Sequence, residues 1–361
     1  MGFGMYERQP NWEMGSRFGL FFLNHLIKPG ILHEAWTTAC MIRASVVVFC
    51  FCQLTYATDF SFCCHRNMNE ISIQRLRAHV HELAGKIGEH NIFHPDALHA
   101  AEAYITEEWQ QQGYVVHKQT YTAQGIDCAN LEITCTGNSS NNDVILIGAH
   151  YDSVLGSPGA NDNGSGVAAL LELSRLFKEV KPETSLRFVA FVNEEPPFFF
   201  WPSMGSMVYA KAAKQRGDPI RFMISLETIG CYRNQQGSQT YPPLLKYFYP
   251  DIGNFITFVS NLRSRRIMRN CVRVFSSVTD FPVQSIATLA LVPGVSWSDH
   301  LAFWRHGYKA FMITDTAFYR YPYYHTAQDT PDKLNYVPFA EMTNGLFLML
   351  SRIANAEKRN P

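Results

Sequence analysis

"GAHYDSVLGSPGANDNGSG", Gly148 to Gly166, lies between the apolar run "VILI" and the apolar helix-like stretch "VAALLEL". The run Val144 to His150 is short and continuously apolar up to its last residue, as in a strand buried on both faces. After the loop, Val167, Leu170, Leu171 and Ser174 share one face of a helix that extends to about Val180. Strand, glycine-rich loop and helix in this order form the unit from which parallel sheets are built. The core needs no His or Asp in that loop. Residues beyond the carboxyl ends of such strands are where chemistry gathers, which makes His150, Asp152 and Asp162 candidates.

The same alternation continues on both sides. Helical periodicity covers Ile73 to Ile87 and Pro95 to Gln112, and strand-like runs cover Val115 to Tyr121 and Asn130 to Thr136. Further strands are expected at Ser185 to Val192, Arg221 to Leu226, Asn254 to Ser260 and Lys309 to Thr314. Helices are expected at Met204 to Gln215, Arg263 to Phe275, His300 to His306 and Pro338 to Ala356. The pattern predicts an α/β fold, a three-layer αβα sandwich with a mostly parallel mixed sheet and helices on both faces. No repeat or linker interrupts the chain after Met68, so residues 68–361 are expected to form one domain.

The 361 residues are 47% hydrophobic and 17% charged, a globular composition. Lys plus Arg equals Asp plus Glu at 31 each, so no net field favours nucleic acid or an anionic membrane. Arg263, Arg265, Arg266, Arg269 and Arg273 have helical spacing and read as a solvated helix face. Cys128 and Cys135, if extended between, stand about 23 Å apart at about 3.3 Å per residue. A disulfide needs Cα atoms within about 7 Å, so the two are expected to stay unpaired.

Residues 1–67 differ from the rest and are expected to lie outside the catalytic domain. Their apolar run, Ala44 to Cys52, is far shorter than the ~20 residues of a membrane-spanning helix. With Met41-Ile42-Arg43 before it and Ala57 after it, the run resembles a short signal peptide, although forty residues precede it. A buried segment and upstream sequence outside the working protein fit equally, and localisation stays open.

Each expected core strand ends in polar residues. The strand at Val144 ends in His150-Tyr151-Asp152 and leads to Asp162; the next ends in Asn193-Glu194-Glu195; the next runs into Glu227; and the strand at Lys309 leads to Tyr324-His325. Taken singly, each also fits an ordinary hydrogen-bonded loop or a solvated surface. Together they bring two imidazoles and several carboxylates to one sheet edge, where the acids repel one another unless cations hold them. A nitrogen and oxygen donor set without thiols suits zinc, with manganese or cobalt as substitutes. Five ligands exceed the roughly three of a catalytic zinc and suit two ions about 3.5–4 Å apart, bridged by a carboxylate and a water.

From about Ile71 to Ala356 the chain resembles metallopeptidase family 28, which comprises dizinc aminopeptidases and glutaminyl-cyclase-like enzymes. The matching segments, in order, are "GAHYDS", "GANDNGSGVAALLEL", "FVAFVNEE", "SLETIG", "SDHLAFW" and "TDTAFYRYPYYHTAQDTPDKLNY". The resemblance implies that His150 and Glu227 ligate one zinc, Glu195 and His325 the other, with Asp162 bridging. It implies Glu194 as general base on the shared water, Tyr324 as oxyanion donor, and Asp152 as the carboxylate orienting His150. Asp299 and His300 are expected behind the ligands. Glu227 departs from the aspartate usual at its position, one methylene shorter, which predicts a kept metal with altered geometry. The aromatic stretch Pro196 to Trp201 is read either as pocket lining or as core and lid packing.

The implied function is a zinc-dependent aminopeptidase acting on peptides with a free N-terminus. Glutaminyl cyclisation on a single zinc and a non-catalytic binding module are the alternatives. The complete ligand set argues against the first, and the presence of the base against the second.

Overall fold

A computed structural model describes residues 71–139, 142–243 and 245–356. Segment 1–67, with its apolar run, lies outside them. Eight strands form one sheet: β1 (His117–Ala123), β2 (Ile126–Cys135), β3 (Val144–His150), β4 (Ser185–Phe191), β5 (Ile220–Glu227), β6 (Ile256–Asn261), β7 (Val283–Thr288) and β8 (Ala310–Thr314). Their order across the sheet is β1-β2-β4-β3-β5-β8-β6-β7.

The central strands β4, β3, β5 and β8 run parallel, so their carboxyl ends lie on one edge. β2 pairs antiparallel with β1 and with β4, and β6 antiparallel with β8, which makes the sheet mixed. β1 and β2 form a hairpin whose turn residues, Gln124 and Gly125, both have positive φ (49° and 81°), the geometry of the tightest hairpin turns. β2 therefore starts at Ile126 rather than at Asn130. It holds Cys128 and Cys135 on one extended segment, where both are buried and free, in agreement with the expected absence of a bond between them.

The helices are α1 (Ile73–Val80, continued by a π turn to Ile87), α2 (Pro95–Gln111), α3 (Gly166–Glu179), α4 (Gly205–Arg216), α5 (Arg265–Val278), α6 (His300–Arg305) and α7 (Tyr336–Ala354). α3 packs on α1, α2 and α7, and α5 on α7, forming one layer; α4 and α6 pack together in another. The three-layer sandwich is as expected. Seven consecutive buried residues in β3 explain its continuous apolar run, and α3 packs against it. In α5, Met268, Cys271 and Phe275 point inward while Arg265, Arg266, Arg269 and Arg273 are exposed, so the basic cluster is a solvated face.

The chain leaves β4 through a close contact. A Cβ built on Gly205, the first residue of α4, meets the Val192 carbonyl oxygen at 2.1 Å. Only glycine lets the helix start against the strand it follows.

Candidate metal centre

Four strand ends deliver the acidic and imidazole side chains. His150 is the last residue of β3 and is fully buried; its Nε2 lies 3.3 Å from Asp162 Oδ1 and 3.3 Å from Glu227 Oε2. His325, in the loop after β8, places Nε2 3.0 Å from Asp162 Oδ2 and 3.4 Å from Glu195 Oε1. The two oxygens of Asp162 thus face two different imidazoles. His150–Asp162–Glu227, Asp162–Glu195–His325 and His150–Glu194–Glu195 form three overlapping groups, each with donor atoms within 4.8 Å of one another.

The loop after β3 makes this possible. Asp162 and Asn163 sit inside a π turn (Ala160–Ser165) with non-helical angles, so the chain kinks there. Asn163 pins the kink. Its Nδ2 donates to the Leu226 carbonyl at 2.8 Å, and its Oδ1 accepts from the Thr228 N–H at 3.0 Å, which ties the loop to both sides of Glu227. Ser298 donates to Glu227 Oε2 at 2.9 Å.

Glu194 and Glu195 share the site because the strand ends in a turn. Asn193 has φ of 59°, and the next two N–H groups, of Glu194 and Glu195, donate to the two oxygens of Asp152 at 3.0 and 3.1 Å. The same carboxylate lies 3.6 Å from His150 Nδ1, and the Asp152 backbone carbonyl pairs with that nitrogen at 3.0 Å, so residue 152 meets the imidazole through both its side chain and its main chain.

Asp299 is fully buried. Burial pushes its carboxyl up to about 7, and the nearby Glu227 and Asp152 add to the effect against the pull of His150. His300 pairs through Nε2 with the Val295 carbonyl at 2.8 Å and packs edge-on against Trp304. Burial lowers it to about 4, and no hydrogen bond joins it to the five clustered residues. It reads as a loop anchor at the start of α6.

Two neighbouring cavities flank the cluster and share Glu227, Trp297, Phe318 and Tyr324. One chamber adds Asp162, Glu194, Glu195, Phe199, Phe200 and His325. The other is apolar, with Tyr241, Tyr249, Phe255, Ile286 and Met312 among its walls. Tyr324 stacks on His325 with ring centroids 3.9 Å apart. The aromatic stretch divides: Phe199 and Phe200 line the chamber, Phe198 is buried and Trp201 is exposed.

The donor set fits divalent zinc. His150 Nε2, Asp162 Oδ2 and Glu195 Oε1 are buried and have no hydrogen-bond partner, an expensive arrangement unless a cation completes it. Burial pushes the Glu195 carboxyl up to about 8, with Asp162 adding to it and His325 opposing. Glu194 lies well above the carboxylate range through burial and the charges of Glu195 and Glu227, which outweigh His150. Burial alone would lower His150, but the charges of Glu227 and Glu194 carry it well above its ordinary value. Burial likewise acts to lower His325, yet Asp162 and Glu195 raise it to about 10. Side chains that hold protons this firmly mark a negative field that cations would relieve.

Some residues that build the site escaped the sequence reading. Asp329 is fully buried; its Oδ1 accepts the Asn161 N–H at 2.8 Å and the Tyr321 hydroxyl at 2.7 Å, and its Oδ2 accepts the Asp162 N–H at 3.1 Å. Asp315 accepts from Asn161 Nδ2 and from the Cys231 N–H at 2.9 and 2.8 Å. The available signal was the pair of asparagines around Asp162 and the second acid four positions after His325.

The model of peptidase family M28 matches residues 130–349, more than half of the chain. The Uncharacterized protein YfbL of Escherichia coli is 40% identical over 264 residues, covering 71% of this chain and 80% of that protein. Aminopeptidase YwaD of Bacillus subtilis is 50% identical over 58 residues, 16% of this chain and 13% of that protein. Among solved structures, the LapA aminopeptidase of Legionella pneumophila aligns with a TM-score of 0.61 at 17% identity, covering 80% of this chain and 71% of that one. A Bacteroides thetaiotaomicron glutaminyl cyclase aligns with a TM-score of 0.60 at 18% identity, covering 81% and 100%. At these identities the structures share the fold.

Proposed function

The chain belongs to peptidase family M28, a family of zinc metallopeptidases, and from that membership we propose that it is a two-zinc aminopeptidase releasing the N-terminal residue of peptides. One observation carries the reading: Asp162 presents one oxygen to the His150–Glu227 group and the other to the Glu195–His325 group. His150 and Glu227 would hold one ion, Glu195 and His325 the second, with Asp162 between them. When bound, the metal pair polarises the scissile carbonyl and lowers the pKa of water.

Glu194 lines the chamber and groups with His150 and Glu195 rather than around Asp162, and we assign its carboxylate to proton transfer. It takes a proton from the attacking water and passes it to the leaving amine. The Tyr324 hydroxyl, in the same chamber, donates to the carbonyl oxygen as negative charge develops there. The apolar cavity beyond Glu227 and Tyr324 suits an apolar first side chain.

Purified protein should hold about two zinc ions per chain. Glu194→Gln should keep both ions and lose at least ~100-fold in turnover on leucyl peptides. Glu195→Gln should instead lose metal, with activity partly restored by excess zinc. The reverse pattern would exchange the two roles. One tightly held ion, with activity on N-terminal glutamine alone, would replace this reading by cyclisation.

A further inference from the structure

The aromatic segment after the glutamate pair has no part in the chemistry above, yet it is held facing the site. Phe200 has φ of 68°, a left-handed conformation that aromatic residues rarely adopt. Arg305 fixes it, donating through Nη1 to the Phe200 carbonyl at 2.8 Å and placing its guanidinium 5.6 Å from the ring centroid. The Phe199 and Phe200 rings touch at a tilt of 37° with centroids 4.0 Å apart, and Phe200 remains 37% exposed. Trp297 and Phe318 are 5.4 Å apart and line the same chamber. Aromatic rings exposed together beside a reaction centre mark a contact surface.

The proposed proton transfer decides which part of a substrate meets them. Glu194 must reach the leaving nitrogen, and it lines the chamber with Phe199 and Phe200 but not the apolar cavity beyond Glu227. The chain on the leaving side of the scissile bond therefore exits over these rings, while the first side chain occupies the other cavity. We propose that Phe199 and Phe200 are specificity-determining residues that grip the second residue of the peptide and select large apolar or aromatic side chains there. This rests on the aminopeptidase reading.

The test compares Leu-Phe-Gly, Leu-Ala-Gly and Phe-Ala-Gly on the zinc-loaded protein, with the released first residue measured. Leu-Phe-Gly should exceed Leu-Ala-Gly in kcat/KM by about tenfold or more, the worth of burying a phenyl ring. In Phe199→Ala and Phe200→Ala that ratio should fall toward one, while the ratio of Phe-Ala-Gly to Leu-Ala-Gly stays at the parent value. Trp201→Ala is the control: this residue is 65% exposed, does not line the chamber, and should keep the parent ratio. Equal efficiency on the two leucyl peptides in the parent protein overturns the proposal with no variant needed. So does a change of first-residue preference in the Phe199 variant. Hydrolysis of neither peptide overturns the aminopeptidase reading itself, and this inference with it.

Discussion

Asp329→Asn isolates the clamp behind the centre. The native carboxylate accepts three hydrogen bonds, from the Asn161 N–H, the Asp162 N–H and the Tyr321 hydroxyl, and none of it is exposed to water. A carboxamide has one acceptor oxygen. If that oxygen stays where Oδ1 was, the NH2 group meets the Asp162 N–H donor to donor. If the group flips, the Asn161 N–H loses its acceptor instead. Either way one buried backbone N–H is orphaned, at about 1–3 kcal/mol. For a chain of this size that lowers Tm by about 2–4 °C per kcal/mol, so a fall of about 2–12 °C is expected. The melt should be run with chelator present, which removes metal linkage from the comparison. Because one of the affected bonds holds Asp162, the variant should also bind zinc at least about tenfold more weakly in a chelator competition. An Asn variant that melts with the parent and holds zinc equally tightly would show that Asp329 fixes neither the loop nor its carboxylate.

Glu227→Asp should keep most activity, and Glu227→Ala should lose about one zinc by metal analysis and most turnover; full activity in the Ala variant would remove this residue from the site. Glu172 is fully buried, and despite that burial its contact with His79 and its paired bonds from Arg175 (2.8 and 2.9 Å) lower its carboxyl from 4.5 to about 2. A depressed carboxyl stabilises the fold above its unfolded value and loses that contribution as pH falls through its folded one. Urea unfolding should therefore show up to ~3 kcal/mol disappearing between pH ~4.5 and ~2, a slope that Glu172→Gln should flatten. Gly205→Ala should yield little soluble protein, since the new methyl meets the Val192 carbonyl and Asn130 Oδ1 at 2.1 and 2.4 Å; a normally folded variant by circular dichroism would refute the close approach.

Much of the scaffold was legible because its central strands are buried on both faces and end in residues their core has no use for. β3 and β5 read as strands for that reason, and the polar ends named the five clustered side chains that the structure brings together. β7 was not legible: all six of its residues are only half-buried, so it lacks both the continuous apolar run and a clean alternation. β2 was cut short because its first residues make a hairpin, and the Gln124–Gly125 turn gives no apolar signal. The hold of Asp152 on the glutamate turn was not legible, since its partners there are backbone N–H groups 42 and 43 positions later. Asp329 was missed because two of its three partners are backbone groups of a loop 167 and 168 positions earlier, a relation that exists only once the chain is folded.

The clustered side chains come from positions 150 to 325, with His325 carried by the loop after β8. During synthesis the chain emerges N-terminal end first, so His150, Asp162, Glu194, Glu195 and Glu227 are all exposed to the cell before His325 leaves the ribosome. On the two-zinc reading proposed above, the Asp162–Glu195–His325 half of the centre would be completed last, and a chain arrested before residue 325 would lack it.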